Sequence, residues 1–168
     1  MRHDVTLEIK KKSDGAAVLT FVRADGSRTS SPIGAAGGFG PVHDLSHYVV
    51  ESVLGIGRGF IGLCAEGWSV QDFDRNAAKD IPPEAGISEA VSGEISRMEA
   101  MSQWSTCDDF NWTIGGTGAT ITVEQYDAIR RALASLRARW NALEPGATMS
   151  LRFEPGRAVK VNDEGTIS

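Results

Sequence analysis

Two stretches with a period of two bracket this chain, and between them the apolar residues recur at threes and fours. Near the start, Val5, Leu7 and Ile9 alternate with Thr6 and Glu8. Near the end, Met149, Leu151 and Phe153 repeat the same alternation. A strand sends successive side chains to opposite faces, so both stretches predict strands with one buried face. Ser13-Asp14-Gly15 and Asp25-Gly26 punctuate the first thirty residues and enclose a second strand, Ala17 to Arg23. Asp-Gly suits the positive φ angles of a tight hairpin. Arg28 to Ile33 reads as a third strand, at an edge because Pro32 cannot donate to a ladder. Strands at both ends with helices between them predict the α+β class: a small antiparallel sheet, made of an N-terminal hairpin or meander plus the C-terminal strand, packed with a helical layer.

The middle of the chain carries the helices. A loop is expected over Gly34 to Gly40, and Pro41 then opens a helix, where its missing N–H costs nothing. That helix runs to about Leu54 and stops at Gly55. Phe60 to Ala65 reads as a second, short helix. Pro83 to about Trp104 carries Ile87, Val91, Ile95, Met98 and Met101 at helical spacing. Thr122 and Gln125 have capping-box spacing, ahead of a stripe of Tyr126, Ile129, Leu133, Leu136, Trp140 and Leu143. The 168 residues suit a single domain, expected over 1–155, with 156–168 as a weakly ordered tail.

The net charge of −5 disfavours a general nucleic-acid binder. Cys64 and Cys107 lack a CxxC spacing and read as reduced thiols. The first residues lack the apolar core of a signal peptide, and the apolar run Gly55 to Ala65 is too short to span a bilayer. The expected setting is cytoplasmic, with no membrane or nucleic-acid partner and a small molecule as substrate.

Chemistry concentrates in the helix that Pro41 opens. An α-helix turns about 100° per residue, so with His43 at 0°, His47 lies at roughly 40°, Glu51 at roughly 80° and Asp44 at roughly 100°. Val42, Val49, Val50, Val53 and Leu54 fill the adjoining arc. The polar stripe is therefore expected at the margin of the core, in a partly desolvated cleft. Two histidines at i and i+4 can offer ring nitrogens to one ion, as in the HExxH helix of zinc proteases. His43, His47 and Glu51 are the expected metal ligands. Asp44, one methylene shorter than the HExxH glutamate, is the expected acid/base or orienting group. Mixed nitrogen and oxygen ligation suits zinc first among divalent transition metals. The function this supports is a small metal-binding protein of metal-dependent hydrolase type. The alternative is a non-enzymatic binding or interaction module in which the histidines are structural. Glu66, Asp108 and Asp109 are further carboxylates within conceivable reach.

Phe39 to Trp68 also carries a resemblance. His43-Asp44-Leu45-Ser46-His47-Tyr48 with Val50-Glu51, followed by Gly59-Phe60, Gly62-Leu63, Ala65 and Gly67-Trp68, resembles a family of uncharacterised bacterial proteins. Those proteins share an HDL(S/T)HYxVE helix followed by GFxGLxAxGW. The resemblance covers about a fifth of the chain and implies a bacterial source, with no settled activity. The His-Asp doublet also looks like that of the HD-domain phosphohydrolases. Their all-helical fold and separate upstream histidine do not suit this chain, whose upstream His3 sits at a strand edge.

Overall fold

The computed structural model describes residues 3–34, 39–74 and 79–168. Most of the loop expected over Gly34 to Gly40 lies outside them. The strands are β1 (Val5–Lys11), β2 (Ala17–Arg23), β3 (Arg28–Ile33) and β4 (Thr148–Phe153). They form one antiparallel sheet in the order β3-β2-β1-β4, so the last strand joins the first. The register places Leu7 between Phe21 and Leu151, and Ile9 between Leu19 and Met149. All six are buried on one face, which is the face the alternation predicts.

The helices are α1 (Phe39–Leu54), α2 (Phe60–Glu66), α3 (Pro83–Met101), α4 (Cys107–Ile114) and α5 (Val123–Ala142). No described helix is long and apolar enough to cross a membrane. Thr122 caps α5 by accepting from the Gln125 amide, and the Gln125 side chain reciprocates. Helix α3 stops at Met101, short of the expected Trp104, because Ser102 turns left-handed with φ 52°.

Helix α1 is the centre of the molecule, packed by both α3 and α5. Tyr48 ties it to the sheet by donating its hydroxyl proton to the Arg152 carbonyl at 3.1 Å. The expected position of its polar stripe is therefore corrected. His47 and Glu51 are fully buried, along with Ser46 and Ser52, while His43 and Asp44 are half-buried. The cause lies in α3, whose Ser88, Ser92 and Ser96 recur every four residues and are all fully buried. Small side chains let a second helix cover a polar face that would otherwise meet water.

Residues 156–168, expected as a weakly ordered tail, are held by specific bonds. The Val159 amide donates to the Ser52 carbonyl of α1, and Val161 pairs with Ile167 in an isolated bridge. Arg131 of α5 donates to the Asn162 carbonyl at 3.2 Å. These backbone groups carry no hydrophobic period, so sequence patterning is silent about them.

Candidate metal centre

The two histidines present the same nitrogen to the same point. His47 Nδ1 lies 3.3 Å from Glu51 Oε1 and 3.2 Å from Ser88 Oγ. Ser88 donates its own proton to Glu51 Oε1 at 2.7 Å. A carboxylate only accepts, so Nδ1 of His47 carries a proton, and the same rule gives Nε2, 2.8 Å from Glu89 Oε2, a proton that an ion would displace. His43 Nδ1 lies 3.3 Å from Ser96 Oγ, whose proton goes to the Gly93 carbonyl at 3.0 Å. Ser96 therefore accepts from His43 Nδ1, which turns Nε2 of His43 toward His47 and Glu89. Second partners that set the tautomer in this way are the usual support of metal-binding histidines.

The two Nε2 atoms stand 3.2 Å apart. Ligands about 2.0–2.1 Å from a tetrahedral zinc ion are about 3.3–3.4 Å from one another, so the pair is already spaced for one ion. Glu89 of α3 completes the set, with Oε2 2.8 Å from His47 Nε2 and Oε1 3.6 Å from His43 Nε2. Among the described residues, His43, His47 and Glu89 form the group whose ligand atoms all lie within 4.8 Å of one another. Three lone-pair atoms facing one point repel unless a proton or a cation sits between them. The electrostatics follow. Burial works hardest on His47, against its charge, yet hydrogen bonds and charge from Glu51 and Glu89 outweigh it and raise its pKa to about 9. The hydrogen bonds from His43 and then His47 hold the Glu89 carboxyl well below the usual carboxylate range.

Glu51 does not enter this group. Its carboxylate lies on the Nδ1 side of His47 and accepts from the Ile61 and Gly62 amides at 3.1 and 3.3 Å. It thus orients His47 and ties down the first turn of α2. The approach depends on Gly59, where a Cβ would fall 2.3 Å from the Glu51 carboxyl carbon. The geometric reason is the helix itself: at i+4 from His47, Glu51 reaches the near ring nitrogen and stays one turn away from Nε2. The third ligand position passes to Glu89, which sequence reading missed. Its one signal was indirect, an acidic residue beside Ser88 on a helix whose serines repeat every four residues.

Asp44 borders the cluster, and burial pushes its carboxyl up to about 6, against the pull of His47 and His43. Among the described residues no donor bonds its carboxylate. It lines two cavities that share His43 and Phe60. One, of about 380 Å³, also holds His47 and Glu89 in its wall. The other, of about 390 Å³, runs toward β3. Glu66 lies apart, paired with Arg58 at 3.0 Å. Asp109 serves the start of α4, where Thr106 accepts from its amide and donates to its carboxylate, and Asp108 sits in the same first turn.

Comparison with family models, curated proteins and solved structures finds no match to this chain.

Proposed function

We propose that the protein holds one divalent transition-metal ion, zinc first, on His43 Nε2, His47 Nε2 and a Glu89 oxygen, and works as a small metal-dependent hydrolase. The observation that carries this is the matched ring orientation: Glu51 and Ser96 accept from the two Nδ1 atoms, so both Nε2 atoms meet 3.2 Å apart beside a carboxylate. When bound, zinc with three protein ligands supplies a Lewis acid that brings the pKa of water to about 7. The chain's own residues do the rest. Glu51 and Ser88 hold the His47 ring. Asp44, half-buried at the cavity wall and without a donor among the described residues, would take up or return a proton near the cluster. Phe60 and its neighbours keep bulk water from one side.

A second reading rests on the 2.8 Å contact from His47 Nε2 to Glu89. With a proton there in place of an ion, the cluster is a hydrogen-bonded lock between α1 and α3 in a non-enzymatic binding module.

Elemental analysis of protein purified without an affinity tag separates the two. Zinc or another transition metal near one equivalent is expected. Less than about a tenth of an equivalent, with no uptake on titration, rejects the metal centre. Glu89→Ala sharpens the result. Its side chain is 64% exposed, so a ligand role predicts lost metal with near-normal unfolding, whereas a helix lock predicts lost stability with or without chelator.

A further inference from the structure

The cavity of about 380 Å³ has two unlike walls. One carries the metal cluster and Asp44. The other carries Phe60, Phe73, Ile81 and Ala85. We infer that this cavity receives the uncharged aromatic or branched aliphatic group of a small molecule whose oxygen donor meets the ion on His43, His47 and Glu89; the inference rests on the metal reading above.

Several observations point the same way. An aromatic wall begins at the ligand itself: the Phe60 ring is 5.2 Å from the His47 ring and 4.8 Å from Phe73, and Phe73 is 5.4 Å from Trp68. Such edges and faces favour another ring in offset or edge-to-face contact. At the mouth, Ile81 is 50% exposed, so apolar surface is left facing water beside the cluster. Gly86 lies three residues before Glu89, on the same side of α3, and a Cβ there would meet nothing within 4 Å. The space next to the ligand carboxylate is therefore open by virtue of that glycine. No lysine or arginine lines the cavity among the described residues. Among the described residues, the wall offers a second anionic group at the far end of the molecule no cation and presents Asp44 to it. That disfavours phosphate esters and dicarboxylates and favours esters or amides bearing one apolar side group. The volume lies at the lower end of the range for small-molecule sites, roughly 300–1,000 Å³.

The test uses the zinc-loaded full chain and two zinc-chelating probes, acetohydroxamate and phenylacetohydroxamate, followed by titration calorimetry. Burial of one phenyl group predicts that the second binds about 10- to 100-fold tighter. A third probe with a carboxylate in the para position of the ring should lose most of that gain, whatever the behaviour of any variant. Gly86→Leu places a side chain into the cavity on an exposed turn of α3. It should abolish the phenyl preference while acetohydroxamate and zinc still bind as in the wild type. A protein that takes up no zinc overturns the metal reading and this one with it. A zinc-loaded protein that binds both probes equally, or keeps its phenyl preference in Gly86→Leu, overturns this inference alone.

Discussion

Helix α1 is gripped from two sides by unlike partners. On α5 the buried residues are Ile129, Ala132, Leu133, Leu136 and Trp140 with Tyr126, an apolar stripe. On α3 they are Ala85, Val91, Ile95 and Met98 interleaved with Ser88, Ser92 and Ser96. The first seam is held by area removed from water, which is non-directional and tolerant of detail. The second is held by hydrogen bonds with fixed donors and acceptors, where a missing partner costs more than a present one gains. The candidate ligands His43, His47 and Glu89 lie on the second seam, where fixed donors and acceptors orient them.

The contrast can be broken first by removing one residue from each seam. Glu51→Ala leaves His47 Nδ1, Ser88 and two amides without their acceptor, and should cost about 3–5 kcal/mol in denaturant unfolding. Leu133→Ala on the α5 side should cost about 2–5 kcal/mol, a similar sum. The seams differ in what else is lost: only Glu51→Ala should also weaken metal binding. Equal metal affinity in the two variants would mean that Glu51 has no part in orienting His47.

Acidity separates the seams next. The raised pKa of His47 means that the folded, metal-free protein keeps a proton that the unfolded chain releases. That stability is fully present below the unfolded value of 6.5 and is lost as pH rises through about 9. The loss should be on the order of 1–3 kcal/mol, and metal affinity should rise over the same window as the ion displaces the proton. Glu51 and Glu89 face His47 directly, with Asp44 and His43 close by, so His47→Gln should flatten the profile. Leu133→Ala should lower the whole curve and leave its shape alone. A profile unchanged in His47→Gln would remove His47 as its source.

Ser96→Ala takes away the acceptor that fixes the His43 tautomer, and metal should bind about 10- to 100-fold more weakly. Calorimetric zinc titration measures this, and unchanged affinity would show that His43 needs no such support. The smallest effect belongs to Ser92, whose hydroxyl is buried without a partner among the described residues. Ser92→Ala removes an unsatisfied group, so stability should stay within about 1 kcal/mol of wild type or rise slightly. A large loss in thermal or denaturant unfolding would mean that the serine has a bond the structure does not show.

The same contrast explains how much could be read in advance. The sheet, its edge at Pro32 and the α5 stripe were legible because hydrophobic period reports directly on burial. His43 and His47 were legible because their spacing carries its own geometry. Glu89 was not, since its partners lie forty-two and forty-six residues away and one glutamate among many has no local mark. Glu51 is on the face of α1 that the spacing predicts, but it bonds His47 Nδ1 instead of joining the histidines as a ligand, a distinction of atoms that spacing does not carry. The stripe of serines on α3 carries no hydrophobic signal, and the close approach of α1 is what buries it. In the tail, the bonds from Val159 and Asn162 run through backbone atoms that every residue possesses.

Glu51 joins two things that seldom share one group, a ligand's ring and a helix's first amides. Its carboxylate touches His47 on one side and the Ile61 and Gly62 N–H groups on the other. Electron density drawn toward His47 when an ion replaces the proton must leave those two amides with a poorer acceptor. Their proton resonances should therefore move upfield together on metal loading, although neither residue touches the ion. The protein would thus carry its own spectroscopic indicator of occupancy, readable in a nitrogen–proton correlation spectrum without any added probe.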